Sequence, residues 1–223
     1  MCFSATASFG AGIVLSIIGV ATLKKVQHRS HVLFASIPLI FAVQQIAEGF
    51  LWVNLPYAAH GKTIVFFTYV FVFFAQVVWP IWIPVAILLL EKEGTRKKLQ
   101  KILVAAGLLV GCYLGYCLFN YPVEASIVGY HIKYKVDFPV VPRNVGIILY
   151  AMATILPPFF SHIKRMWILG VAISISYIIS EIFYEQYLLS VWCFFASIIS
   201  ISIYVIMVEI NNAYKKSYLK VIA

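Results

Sequence analysis

One carboxylate, two amides and an indole share a short and otherwise apolar stretch, Phe41-Ala42-Val43-Gln44-Gln45-Ile46-Ala47-Glu48-Gly49-Phe50-Leu51-Trp52. At about 100° per residue on a helix, Gln44, Gln45 and Trp52 all project within roughly 60° of Glu48. A carboxylate inside a bilayer is costly and has to face a cavity or a partner, so Glu48 is a site residue by default. The same side chains would also serve as an interhelical hydrogen-bond clamp, and at this level both readings stand. A second polar stripe, Ser174-x-x-Tyr177-x-x-x-Glu181-x-x-Tyr184-Glu185, follows later in the chain. Its side chains share roughly 100° of one helix face.

Together, Gln44, Gln45, Glu48, Trp52, Tyr177, Glu181, Tyr184 and Glu185 would line a cavity for a small cation, or for an amine stacked on aromatic rings. The alternative is a membrane-embedded hydrolase acting on a lipid or a small amide or ester at the outer leaflet. Cys2, Glu48, Glu181 and His131 would then be the candidate ligands of a metal that activates water. No HExxH, no GxSxG and no histidine pair at ligand spacing supports that chemistry. A third reading is a subunit whose polar groups only join helices. No residue pattern specifies a cofactor or an oligomeric state.

The elements that position these residues follow from composition. Of 223 residues, 63% are hydrophobic and 11% charged, and the mean hydropathy is +0.95. Ordinary soluble domains carry about 25% charged residues. A chain this apolar uses lipid as its main solvent and must pair its backbone internally. No repeated ten-residue alternation marks a transmembrane barrel, so the expected class is an all-α integral membrane bundle, one domain spanning 1–223. The net charge of +9 does not point to nucleic acid, because the basic residues fall in short clusters between apolar segments. Cys2, Cys112, Cys117 and Cys193 show neither a CxxC nor zinc-ligand spacing. The first apolar segment lacks a basic region before it, which suits an uncleaved helix entering with its N-terminus out.

Seven helices are expected, over about 6–23, 32–54, 63–90, 99–119, 144–161, 166–187 and 188–209. Ser4 or Thr6 caps the first, and Ser8, Gly12 and Ser16 offer a neighbour close approach. Pro38 bends the second. The third is long enough to need a kink, which Trp79-Pro80-Ile81-Trp82-Ile83-Pro84 supplies through packing and proline geometry. Gly107, Gly111 and Gly115 line one face of the fourth. Between 120 and 143 the apolar Tyr130, Ile132, Tyr134, Val136 and Phe138 alternate with His131, Lys133, Lys135 and Asp137. That period of two predicts a short outer strand or hairpin over the bundle mouth.

With the N-terminus outside, thirteen of the seventeen Lys and Arg residues fall on inner segments and four on outer ones. This asymmetry places the chain in the plasma (inner) membrane as a multi-pass protein with its C-terminus inside. It also puts Glu48, Glu181 and Glu185 near the outer face, where like charges need a proton, a cation or a basic partner. The interval from Gly12 to Glu48 is 36 residues and that from Gly146 to Glu181 is 35. Each opens on Gly-Ile-(Val/Ile)-Leu, so helices 1–3 and 5–7 read as parallel repeats joined by helix 4.

The opening Met1-Cys2-Phe3-Ser4-Ala5-Thr6-Ala7-Ser8-Phe9, with Gln44-Gln45-x-x-Glu48-Gly49-x-x-Trp52, resembles a functionally uncharacterised family of prokaryotic multi-pass membrane proteins. The resemblance implies a shared multi-helix fold and no established activity. It links Cys2, Ser4, Thr6, Gln44, Gln45, Glu48 and Trp52 as one set without assigning their chemistry.

Overall fold

A computed structural model describes residues 4–139 and 143–222. Cys2 and the side chains of Glu185 and Cys193 lie outside the described set. Among the described residues the chain is an assembly of helices with one small sheet. Helix α1 covers Ala5–Leu23, capped by Ser4, whose Oγ accepts the Ala7 N–H at 3.2 Å. A 3-10 turn at Arg29–His31 leads into the short α2, Val32–Ala35, and then α3, Ile37–Asn54. Helix α4, Gly61–Val72, passes through a π-helical turn at Phe73–Val78 into α5, Trp79–Leu90. Helix α6 spans Thr95–Asn120 and α7 spans Arg143–Phe159. Helix α8 covers Met166–Tyr184, a 3-10 turn covers Glu185–Tyr187, and α9 (Leu188–Phe194) and α10 (Ala196–Ile222) close the chain.

Five of these stretches among the described residues are long and apolar enough to cross a membrane: 5–23, 29–54, 61–90, 95–120 and 166–184. Two shorter apolar helical stretches lie at Ile148–Phe159 and Ile199–Tyr214. The second expected helix runs through 29–54 with a turn residue at Ser36, two residues before Pro38. Pro38 lacks an N–H, and the Leu33 carbonyl takes the Ser36 Oγ (2.9 Å) and the Trp82 indole (3.0 Å).

The π-helical turn in the long third segment has an identifiable hydrogen-bond pattern. Trp79 N–H bonds to Phe74 O, an i to i−5 pattern, so the next carbonyl in that frame, Ala75 O, faces Pro80, which has no N–H. Tyr150 of α7 fills the gap, its Oη donating to Ala75 O at 2.6 Å. Pro84 likewise leaves Pro80 O without its helical donor, and α6 packs against that carbonyl. A Cβ on Gly107 would stand 1.9 Å from Pro80 O, so only glycine fits there. Helix α1 lies against α3 by the same device: a Cβ on Gly12 would be 2.8 Å from Ile46. The small-residue stripes thus act as close-packing faces.

The period-two stretch forms an antiparallel hairpin, β1 (Val123–Val128) with β2 (His131–Val136), in register Val123 with Val136 and Val128 with His131. Gly129, at φ +61°, makes the tight turn beside Tyr130. The hairpin is thereby more extensive than a single strand-like segment. Ile132 and Tyr134 turn inward onto Leu51, Phe71 and Leu118, and the Tyr134 ring stacks on Phe71 at 4.5 Å. At the opposite end of the bundle lie the loops that carry Lys24, Lys25, Lys92 and Lys164, with Lys98 in the first turn of α6.

Candidate functional site

Helix α3 presents Gln44, Gln45 and Glu48 inward, and all three are essentially inaccessible to solvent. Their spacing of one and four residues puts them on one face, which is the buried face because Phe41, Ala42 and Leu51 share it. Two distant elements meet that face. The Trp79 indole, the first residue of α5, donates to Gln44 Oε1 at 2.9 Å. The hydroxyl of Ser190 in α9 donates to Glu48 Oε1 at 2.6 Å. The Trp79 ring also stacks on Phe41 at 3.9 Å, which fixes the indole toward the amide. Trp52 is half-buried two turns after Gln45, with its indole N–H buried.

On the far side of Phe41 and Trp79, aromatic side chains from four helices frame a cavity of about 40 Å³. Phe41, Trp79, Tyr150, Thr154 and Trp192 are among its walls, and neither Glu48 nor Glu181 is. Trp192 of α9 donates to Ser176 Oγ at 3.0 Å and meets Tyr177 edge-on at 5.5 Å. Tyr177 therefore lies on the aromatic side of the core. Glu181, one turn on, is partly exposed on α8. Tyr184 stands at the hairpin, edge-on to His131 at 5.4 Å.

His131 stacks on Tyr187 at 4.5 Å and Lys133 reaches Gln186 at 3.3 Å, so β2 is clasped to the turn between α8 and α9. Burial holds the His131 pKa below its ordinary value. Among the described residues no three His, Cys, Asp or Glu side chains converge as metal ligands, and Cys2 lies outside that set.

The residues that complete the site were not singled out by sequence. Ser190 is a lone serine in the run Leu188-Leu189-Ser190-Val191-Trp192, a pattern that is silent without knowing the partner helix. Trp79 reads as kink packing, yet its indole binds the amide next to the carboxylate.

A second buried carboxylate lies at the basic end of the bundle. Glu91, just past α5, accepts the Ser161 hydroxyl on Oε1 and the His162 N–H at 3.1 Å, and its Oε2 pairs with His162 Nδ1 at 2.8 Å. Arg96 donates to Ser161 O at 2.9 Å and Gln100 to Pro157 O at 2.8 Å, so α6 grips the same turn. Sequence alone places Glu91 in a charged loop.

One family model, described as a family of unknown function (DUF6629), matches residues 1–217. No curated protein and no solved structure matches the chain.

Proposed function

We propose that this chain, which belongs to that family of unknown function (DUF6629), is a multi-pass membrane protein that binds or transports a small cation or amine. The observation that carries the reading is Glu48, a wholly buried carboxylate on an apolar helix, met by a hydroxyl from another helix. An ionised group at that depth needs compensation, and a bound cation or proton supplies it. Two turns before Glu48 on α3, Phe41 joins Trp79, Tyr150 and Trp192 around a space of about 40 Å³. That volume suits an occupant of the size of water or ammonium, and the ring faces attract positive charge. Gln44 couples the two through its bond to Trp79. Gln45, Trp52, Tyr177, Glu181, Tyr184 and Glu185 complete the polar and aromatic surroundings proposed for the ligand path.

In this reading the chain crosses the plasma membrane seven times, with the hairpin end outside and the basic end inside. Helices 1–3 and 5–7 are related as parallel repeats. The hairpin covers the outer mouth. The excess of basic residues at one end supports that orientation.

Isothermal titration of the purified chain with ammonium and with small primary amines tests the site. Wild type is expected to bind one of them, and Glu48→Gln to keep its helical spectrum and lose binding. Binding unchanged in Glu48→Gln would reduce the cluster to a helix clamp. For the threading, cysteines placed at Lys62 and Lys133 are expected to react with an impermeant reagent on intact cells, and one at Lys97 is not. The reverse pattern overturns the orientation.

A further inference from the structure

A groove of about 420 Å³ opens along the middle of α10, bordered by Arg165 just before α8, away from the Glu48 cluster. Its apolar wall includes Tyr204, Val205 and Val208, and its polar edge is Arg165, Glu209 and Asn212. Arg165 immediately precedes Met166, the first residue of a helix apolar enough to span, so the polar edge sits at headgroup depth. The exposed Trp167 beside it is a typical interfacial residue.

The charges at this edge come as a pair. Arg165 Nε lies 3.3 Å from Glu209 Oε2, and the side chains remain 56% and 33% exposed. Glu209 Oε2 is buried against Arg165, so the exposed part of the carboxylate is its other side. The ion pair leaves most of the guanidinium fork free for a second oxyanion, and the negative charge of Glu209, one-third exposed, stays open to a cationic donor. A purely anionic headgroup would satisfy Arg165 and be repelled by Glu209. A headgroup carrying both a phosphate and a primary ammonium satisfies both. Below the edge, Ile201 and Val205 are exposed on the same stripe of α10 as Val208 and Asn212, which gives an acyl chain an apolar track.

We infer that this groove seats a zwitterionic aminophospholipid, its phosphate on Arg165 and its ammonium donating to Glu209. A quaternary choline headgroup has no N–H to donate, and a glycerol headgroup has no positive charge. The inference needs the membrane reading but is independent of any ligand at Glu48.

Native mass spectrometry of the full chain, released from vesicles of equal phosphatidylethanolamine, phosphatidylcholine and phosphatidylglycerol with matched acyl chains, tests it. Phosphatidylethanolamine is expected to be retained about tenfold over either competitor, the worth of one charge-assisted hydrogen bond. Glu209→Gln should bring the three lipids toward parity, and Arg165→Gln should lower retention of all of them. Wild type retaining phosphatidylcholine or phosphatidylglycerol equally well would overturn the proposal, whatever the variants do. So would an ethanolamine preference that survives both substitutions.

Discussion

Two buried carboxylates, Glu48 and Glu91, are each met by a serine hydroxyl from far along the chain, Ser190 and Ser161 respectively. Their settings differ. Glu91 stands where α5 ends and also receives a backbone N–H and the imidazole of His162, on a turn that Arg96 and Gln100 hold from α6. Those donors belong to the fold itself and cannot leave without opening the turn. Glu48 lies within a continuous helix, beside two amides and two turns after Phe41, which walls an aromatic chamber, and Ser190 reaches it from the short helix α9. A carboxylate tied to the backbone joins two segments. One tied through side chains can exchange a partner for a ligand, which is why the proposed function rests on Glu48.

Substitutions can break or sharpen that contrast. The largest loss of stability is expected from Glu91→Ala, which strips acceptors from Ser161 Oγ and the His162 N–H. Each buried donor left unsatisfied costs about 1–3 kcal/mol, so the total should be about 3 kcal/mol or more in thermal or denaturant unfolding of the detergent-solubilised protein. A variant as stable as wild type would show that Glu91 is no clasp. Ser190→Ala should cost less, about 2 kcal/mol, because it removes one hydroxyl from an acidic acceptor. Glu48→Gln keeps an oxygen for Ser190 to donate to. It should therefore stay within about 1 kcal/mol of wild type while losing ligand binding. Collapse of that variant would move Glu48 into the same class as Glu91.

The smallest effect concerns the hairpin. The folded pKa of His131 lies below its ordinary 6.5 because of burial, so the unfolded or undocked state binds more protons. Docking is fully stable above pH 6.5 and is lost as pH falls through the folded pKa. Hydrogen exchange across 123–136 should quicken as pH drops below that value, once corrected for intrinsic exchange, and His131→Phe should abolish the dependence. Exchange independent of pH in the wild type would exclude the docked imidazole as its cause.

Much of this architecture is written locally. Apolar runs of membrane length, small-residue stripes and the alternation around His131 each follow from a repeat in the chain, since burial on one face imposes a period of 3.6 or 2. The hairpin and the tight contact at Gly107 are direct consequences. Glu48 is conspicuous for a related reason: a charge inside an apolar run has no local explanation. Glu91 is not conspicuous, because Glu91-Lys92-Glu93-Gly94-Thr95-Arg96 reads as a solvated loop, and nothing nearby indicates that one of its carboxylates is buried. Its partners are 70 residues away, and those of Gln44 and Glu48 are 35 and 142 away. Composition and periodicity determined which segments seek lipid and which faces pack. Only the tertiary structure decided which hydroxyl, indole or N–H each buried polar group meets, because a hydrogen bond depends on side-chain positions set by every intervening helix.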